Sequence, residues 1–402
     1  MTTTSVPTRR GLAKFGPAFI TAALVFGPGS ITTASSMGAE FAYELVWVPV
    51  IATILMLCFV DLCVRIGLST DAGPIGTISA RFTRVAGVLV GLGAFAVTAS
   101  FQAGNSAGTG AAMSVLFGGD ATFFAVLFTL LGLGFVWLPS FYRHLERVMV
   151  VIILALVVIF LITAAVARPD VGQVVSGLVP TLPTGSAALV VGAAATTFSV
   201  VGALYQIQLV REKGWTAADY GTARKDAVAG TLILGGLSFV IMIAAAAVLN
   251  PRGATVQSPA DMAAILEPSI GAWASTLFAL GLWAAAFSSL VGNSTIGGSM
   301  LAGALNIEAG GLSSVRVKVC ISVVILLGGI VAAVFGGLPV QLIITAQAVT
   351  IFVVPLIGVL LVWLGRAPER GELKLSVAQL VLATVGVLFL VLLAVNYLRN
   401  LL

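Results

Sequence analysis

The chain is a succession of apolar stretches about twenty residues long, the length that a helix needs to cross the hydrocarbon core of a bilayer. Only 9% of its 402 residues are charged, whereas a soluble domain carries about 25%. Most of the surface must therefore face lipid, and the sequence predicts an all-α integral membrane protein. Eleven spans are predicted, at about 15–44, 46–67, 87–117, 122–139, 146–167, 187–210, 226–249, 270–304, 314–335, 339–364 and 375–398.

The basic residues indicate how these spans are oriented. Of the twenty Lys and Arg residues, only Arg168, Arg252 and Arg399 fall on the side opposite the N-terminus. Loops rich in Lys and Arg face the cytosol. We therefore expect the N-terminus in the cytosol and the C-terminus outside, in the lipid bilayer of a bacterial inner (plasma) membrane.

Two of the spans are interrupted near their middle. In the first, Gly27-Pro28-Gly29 breaks the helix, because proline lacks a backbone donor and clashes with the preceding turn. In the sixth, "VVGAAATTFSVVGALYQ" is rich in small and hydroxyl residues around Gly202. Unwound backbone at this depth is tolerated only where it lines a cavity, and a separation of five spans fits inverted repeats. The predicted parts of this single transmembrane domain (1–402) are two five-helix repeats at about 15–167 and 187–364 and an extra helix at about 375–398.

Several motifs resemble those of one transporter family. The segment "GPGSITTASSMGAEFAYELVW" and the "VRIG" at 64–67 are similar to the first two helices of the NRAMP (natural resistance-associated macrophage protein) metal transporters, which have a D-P-G-N break and an A-R-L-G ending. The segment "LYQIQLVREKGW" resembles the family's connection between helices six and seven, and "FSSLVGNSTIGGSMLAG" and "VPLI" resemble its helices eight and ten. The resemblance implies a LeuT-type fold of eleven helices, with helices one and six broken at the midplane, and secondary-active transport by alternating access.

The resemblance also shows which metal ligands are replaced in this chain. Gly27 aligns with the metal-binding Asp of the family, and Ser30 aligns with its Asn. In helix six, Ser199 takes the position of the Met ligand and Gln206 that of a histidine. A transition metal stripped of water needs carboxylate, imidazole or sulfur ligands. The chain is therefore similar to a divergent subgroup with a G-P-G-S break, in which Mn²⁺ or Fe²⁺ is disfavoured.

Hydrogen-bonding groups surround both interruptions instead of charged ligands. The resemblance aligns Asn105 or the nearby Gln102 with the glutamate of the family's proton path on helix three. Free N–H groups at the start of the half-helix near Ser30 suit a carboxylate or another anionic group. We predict that the substrate contacts Gly27, Pro28, Gly29, Ser30, Thr32, Thr33, Gln102, Asn105, Thr196, Thr197, Ser199, Gly202, Gln206 and Gln347.

One acidic and one basic residue share a face of the second span. Asp61 lies four residues before Arg65, a spacing that brings two side chains together on a helix. One interpretation is an internal or interfacial ion pair. The other is a role in gating or in a proton path, since ionisable residues within membrane spans often have such roles.

Three functions are compatible with these features. The hydroxyl-rich breaks favour a secondary-active transporter of a small polar or carboxylate-bearing organic solute, with a proton or a sodium ion as the candidate coupling ion. The alternative implied by the family is a proton-coupled divalent metal transporter, with a hydrated ion such as Mg²⁺ as cargo. The third is a sensor that keeps the fold without transport. No nucleophile–base pair or metal-ligand cluster is recognisable, so we predict no enzyme, no cofactor, no metal ligand and no nucleic-acid partner.

Overall fold

The computed structural model describes residues 26–309, 311–335, 339–366 and 373–401. All regular structure in these ranges is helical, and they contain no strand, in agreement with the predicted fold class. The α-helices are α1 (Pro28–Phe41), α2 (Trp47–Leu68), α3 (Pro74–Arg81), α4 (Arg84–Phe117), α5 (Ala121–Trp137), α6 (Pro139–Val166), α7 (Val171–Ser176), α8 (Ala187–Thr197), α9 (Val200–Glu212), α10 (Tyr220–Val248), α11 (Pro259–Ala263), α12 (Glu267–Ile270), α13 (Ala274–Ala304), α14 (Val315–Phe335), α15 (Pro339–Ala348), α16 (Val354–Gly365) and α17 (Val377–Leu401).

Each predicted span overlaps a helix or a pair of helices in the described part of the chain. Eight helical stretches there are long and apolar enough to cross a membrane, and the bent pair of α15 and α16 makes a ninth. The fourth predicted span corresponds to α5, an apolar helix of 17 residues. The first corresponds to α1, which covers only its second half, since residues 1–25 lie outside the described ranges. The limits of the two repeats remain a prediction.

The described parts of the two interruptions follow the sequence. The backbone is extended at Gly27, and α1 begins at Pro28, a position where a helix needs no N–H donor. In the sixth span, Phe198 and Ser199 separate α8 from α9 and are not helical. The sixth span is therefore a broken helix, as predicted. The half-helix expected before Gly27 lies outside the described residues.

The tenth span, predicted without an interruption, is bent in the structure. The helices α15 and α16 meet at an angle of 46° across a short 3-10 turn at Val349–Phe352. Pro355 stands in the first turn of α16. Because proline removes one helical hydrogen bond and clashes with the preceding turn, it favours a bend at this point.

The first described helix lies inside the bundle. Every residue of α1 from Pro28 to Ala39 is buried, and α1 packs against α4, α8, α10, α13 and α15. At Gly38 a Cβ atom would overlap the backbone of α10 near Met242, so only glycine permits this close approach. On the outside, large apolar side chains such as Leu392 and Val334 are exposed, as expected for surfaces in contact with lipid. The core thus fixes the start of α1 at the centre of the protein.

Candidate functional site

A small cavity lies where the interruptions of the first and sixth spans meet. Its volume is about 50 Å³, room for roughly three or four waters. Its walls come from the start of α1, the middle of α4, the break between α8 and α9, the middle of α13 and the end of α15. We call it the midplane cavity, because its walls come from the middle of their spans.

Most of the residues predicted to contact the substrate line this cavity. They were predicted to lie there because a helix break inside a membrane leaves backbone groups that need hydrogen-bond partners nearby. The predicted residues in its lining are Gly27, Pro28, Gly29, Ser30, Asn105, Thr196, Ser199, Gly202 and Gln347.

The other predicted residues lie outside this lining, because helix geometry turns them towards other neighbours. The hydroxyl of Thr33 donates to the carbonyl oxygen of Gly29 at 2.8 Å, one turn earlier in α1. Gln206 lines a different cavity, described below. The predicted residues that do not line the midplane cavity are Thr32, Thr33, Gln102, Thr197 and Gln206.

Four polar or aromatic residues of the lining were not among the predicted contacts. Thr98 and Phe101 line the cavity from α4, and Ser289 and Asn293 line it from α13. Thr98 lies two turns before Asn105, so the helical spacing of the polar residues on α4 could have been extended to it. Nothing in the sequence distinguishes Ser289 from the other hydroxyl residues of α13.

A pair of buried amides forms the wall of the cavity at α4. Asn105 Nδ2 donates to Gln102 Oε1 at 2.7 Å, and Gln102 Nε2 donates to the carbonyl oxygen of Leu290 on α13. Asn105 Oδ1 has no hydrogen-bond partner among the described residues and lies 3.1 Å from the position that a Cβ atom would take at Gly27. The amide of Asn105, which is 5% exposed, therefore turns an acceptor oxygen towards the break in the first span.

A second amide approaches the cavity from α15. The side chain of Gln347 is 4% exposed, and its Oε1 is buried without a hydrogen-bond partner. Its Nε2 lies over Gly29, where a Cβ atom would overlap the amide, so glycine is needed at that position. A buried acceptor without a partner costs about 1–3 kcal/mol, which a donor or a cation in the cavity would offset.

Two helix ends of opposite polarity meet at the cavity. The start of α1 has no side-chain cap, so its first N–H groups form a partly positive end. The end of α8 is close to Thr196 and leaves carbonyl oxygens without helical partners, which forms a partly negative end. At the start of α9, Ser199 Oγ accepts from the N–H of Gly202 at 3.2 Å and so caps that helix.

A larger cavity of about 270 Å³ adjoins the midplane cavity. Its walls come mainly from α2, α9, α10 and α13, and it shares Gly202 and Ile296 with the midplane cavity. It reaches Glu212, an exposed residue on the face where the basic loops lie. We call it the inner vestibule. The buried start of α1 forms part of the wall of the midplane cavity.

Asp61 and Arg65 line neither cavity and form a polar network on one face of α2. Arg65 Nε lies 2.9 Å from Asp61 Oδ2, as the spacing predicts. Gln379 Nε2 donates to the same oxygen at 2.9 Å. The other oxygen, Oδ1, accepts from the Tyr220 hydroxyl at 2.8 Å and lies 3.3 Å from Arg224 Nε. The carboxylate of Asp61, which is 4% exposed, thus joins α2, α10 and α17, and the ion-pair interpretation describes its geometry.

The side chains of the midplane cavity that could bind a metal ion are uncharged. In the part of the chain that the structure describes, no group of three or more His, Cys, Asp or Glu side chains could hold a metal ion. The available oxygen atoms belong to backbone carbonyls, hydroxyls and the amides of Asn105, Asn293 and Gln347. Mg²⁺ is bound by oxygen and keeps several of its waters. An ion in this cavity would therefore be held by neutral oxygens and by its own water.

The sequence has curated relatives over most of its length. It is 26% identical over 396 residues to the divalent metal cation transporter MntH of Yersinia pestis, covering 94% of this chain and 93% of the relative. It is 27% identical over 295 residues to the protein of the same name from Klebsiella pneumoniae subsp. pneumoniae, covering 70% of this chain and 69% of the relative.

The fold is similar to that of solved transporters. A mutant of the Eremococcus coleocola manganese transporter matches with a TM-score of 0.71 at 19% identity, covering 98% of this chain and 88% of that chain. MHP1, a nucleobase-cation-symport-1 family transporter, matches with a TM-score of 0.62 at 14% identity, covering 96% and 92%. Both comparisons support the predicted LeuT-type fold. The family model described as "Natural resistance-associated macrophage protein-like" matches residues 18–399. The chain therefore belongs to the Nramp family of integral membrane transporters.

Proposed function

We propose that this protein carries a divalent metal ion across the membrane and that the ion, Mg²⁺ in the first instance, keeps part of its hydration shell in the midplane cavity. The observation that carries the proposal is a pair of amide oxygens in the cavity wall. Gln347 Oε1 is buried without a partner, and Asn105 Oδ1 lies beside Gly27 and accepts no hydrogen bond from the described residues. The names of the curated relatives support a divalent metal as cargo. They favour this function over the organic solute that the sequence alone suggested.

The lining matches the outer surface of a hydrated cation. Waters bound to a cation turn their oxygen atoms to the ion and their hydrogens outwards, so their neighbours must be acceptors. The two amide oxygens and the carbonyls at the end of α8 are acceptors. The partly negative end of α8 also favours positive charge. The wall thus offers the groups that the outer face of such a shell requires.

The size and the neutrality of the cavity favour an ion that keeps water. A volume of about 50 Å³ has room for a small ion with a few waters. Without a carboxylate in the lining, a fully dehydrated divalent ion would leave an unpaired charge at low dielectric, at a cost of several kcal/mol. Mg²⁺ dehydrates reluctantly. Mn²⁺ and Fe²⁺ bind best to carboxylate, imidazole or sulfur ligands, which this lining does not offer.

The test is a flux measurement with the purified full-length chain in liposomes that contain a Mg²⁺-sensitive dye. We expect Mg²⁺ uptake that the substitution Gln347→Met reduces at least about tenfold, because it removes an acceptor without changing the side-chain length. The matched control is Gln257→Met, the same substitution at an exposed position of a loop. Mg²⁺ flux that is absent from the native chain, or unchanged by Gln347→Met in a folded variant, would contradict the proposal.

A small organic anion is the second candidate, because one observation favours it specifically. The start of α1 presents uncapped N–H groups of Gly29 and Ser30 to the midplane cavity, and such an end attracts carboxylates. If Mg²⁺ does not cross the membrane while a carboxylate-bearing solute does, this candidate replaces the first. Ligand binding without flux of either class would indicate a sensor.

We propose an alternating-access cycle in which the described conformation is open towards the inner vestibule. The midplane cavity adjoins the vestibule at Gly202 and Ile296, and its other walls include the buried start of α1. The basic loops favour the cytosol of a bacterial cell as the side of the vestibule, with the C-terminus outside. Cysteine labelling of Ser376→Cys (predicted cytosolic) and Ser258→Cys (predicted external) in intact cells would test this orientation. External labelling of position 376 would contradict it.

A further inference from the structure

We propose that the inner vestibule contains a second binding station for a hydrated divalent cation, formed by Tyr205, Gln206 and Glu212. This inference rests on the proposed function, since it assumes that the cargo is a cation. It adds a site beyond the midplane cavity, on the path that an ion takes between that cavity and the predicted cytosolic face.

A buried hydroxyl without a partner gives the first indication. Tyr205 lines the vestibule and is 8% exposed. Its hydroxyl makes no hydrogen bond to any described residue, although a buried Tyr hydroxyl usually finds a partner. Tyr205 and Glu212 are seven residues apart on α9, so both lie on the same face of the helix and line the vestibule. A water of a hydrated ion would supply the missing partner.

A second polar group lies beside it on the same helix. Gln206 lines the vestibule and makes no hydrogen bond among the described residues. Its amide oxygen can accept from a water on the ion, as the amides of the midplane cavity do in the proposed function. Tyr205 and Gln206 follow the capped start of α9 by less than two turns, so a rigid helix holds both.

Two carboxylates give the vestibule its charge. Glu212 and Asp226 line it, on α9 and α10. Asp226 is paired with Lys213 at 2.6 Å, which offsets its charge. Glu212 accepts only from Gln208 Nε2, at 3.0 Å, among the bonds described. The neighbouring Arg211 donates to the same Gln208, outside the vestibule lining. Glu212 is therefore the anionic group that an ion in the vestibule meets.

The size of the vestibule suits an ion with a more complete hydration shell. Its volume of about 270 Å³ exceeds the 50 Å³ of the midplane cavity several-fold. An ion that leaves the midplane cavity past Gly202 therefore regains water before it reaches solvent. Because the charge is then screened by water, one carboxylate and two neutral oxygens suffice to hold the ion weakly.

The experiment counts bound ions. Mn²⁺ serves as the paramagnetic probe, and its binding to the full-length chain in lipid nanodiscs is titrated by electron paramagnetic resonance. We expect two ions per chain, both displaced by Mg²⁺. The double substitution Tyr205→Phe with Glu212→Gln should weaken one of them at least about fivefold, and Gln347→Met should weaken the other. The matched control is Asp71→Asn, which removes an exposed charge outside the vestibule.

The outcomes separate this inference from the proposed function. A single bound ion that responds to Gln347→Met but not to the double substitution would overturn the vestibule station and leave the proposed function intact. Equal weakening by Asp71→Asn would also overturn the station, because it would reduce the effect to general surface charge. The absence of any bound Mn²⁺ would overturn the vestibule station, whereas the proposed function is overturned by the absence of Mg²⁺ flux. Separate loss of each ion in its own variant would support them.

Discussion

The midplane cavity and the inner vestibule share two wall residues, Gly202 and Ile296, and yet differ in volume and charge. The midplane cavity holds about 50 Å³ and its described lining is neutral, whereas the vestibule holds about 270 Å³ and contains two carboxylates. In a narrow site the removal of water from an ion must be offset by protein atoms alone. In a wide site the ion keeps most of its water, so fewer protein atoms are needed to stabilise it. Under the proposed function, we therefore expect the hydration of the ion to change as it passes between the two cavities.

Closing the midplane cavity should have the largest effect. The substitution Gly29→Val places a branched side chain where the Gln347 amide lies, so the amide must leave its position. We expect flux to fall by about a hundredfold, as when a binding group is displaced by about an ångström. The measurement is Mg²⁺ uptake into liposomes. The matched control is Gly236→Val, where an added Cβ has open space. Native-like flux in Gly29→Val would show that the Gln347 amide is not needed for transport.

Disturbing the polar network around Asp61 should lower the stability of the protein more than it lowers transport. Asp61 adjoins Val60, which lines the vestibule from α2. The substitution Asp61→Asn removes the buried charge that pairs with the half-buried Arg65, and we expect a loss of about 3 kcal/mol in the free energy of unfolding. Thermal unfolding in detergent measures the change.

The control for this change is an exposed ion pair. Arg252 and Glu267 lie 2.9 Å apart and are each about half exposed. The substitution Glu267→Gln should therefore cost at most about 1 kcal/mol. If Asp61→Asn melts like this control but abolishes Mg²⁺ flux, the gating or proton-path role predicted for Asp61 and Arg65 gains support over the structural one.

Narrowing the connection between the two cavities should slow passage without weakening binding. At Gly202 a Cβ atom would lie 3.0 Å from Ser199 Oγ and 4.0 Å from the end of Met56. The substitution Gly202→Val should therefore reduce the rate of Mg²⁺ flux about tenfold, which corresponds to about 1.4 kcal/mol in the barrier. The Kd of the midplane site should stay the same in the Mn²⁺ titration. A weakened Kd would show that the two cavities are not separate sites.

Restoring the family's carboxylate should have the smallest effect. In Gly27→Asp the new Cβ would lie 3.1 Å from Asn105 Oδ1 and 3.2 Å from Ser289 Oγ. The carboxylate would thus face an acceptor oxygen, and Ser30 and Ser199 would remain poor ligands. We expect the Kd for Mn²⁺ to change by less than about threefold. Robust Mn²⁺ uptake by this single variant would contradict this prediction and show that the missing carboxylate at position 27 alone excludes Mn²⁺.

Much of the fold could be read from the sequence, because the bilayer imposes a simple rule on it. Each helix must be apolar over about twenty residues, so the spans are visible one by one. The interruptions at Gly27-Pro28-Gly29 and near Ser199 were equally visible, since proline, glycine and hydroxyl residues weaken a helix locally. The bend of the tenth span was missed, although Pro355 could have indicated it.

The sequence also identified the polar groups that a site could use, without deciding which of them meet. Gly27, Ser30, Asn105, Ser199 and Gln347 were selected for their chemistry, and they do line one cavity. The local sequence was sufficient for this prediction, because helix breaks and buried amides inside a membrane need hydrogen-bond partners or a cavity.

Only the tertiary structure decided how these groups are divided. The direction of a side chain depends on the rotation and packing of its helix, which no local pattern specifies. For this reason Thr33 bonds within α1 and Gln206 turns to the vestibule, whereas Ser289, unremarkable in sequence, stands beside Gly27. The sequence by itself determined the helices, their breaks and a neutral supply of oxygen atoms. The packing of α1, α4, α9, α13 and α15 determined that these atoms form a narrow cavity and a wide one, because distances between separate helices are set by contacts across the whole bundle.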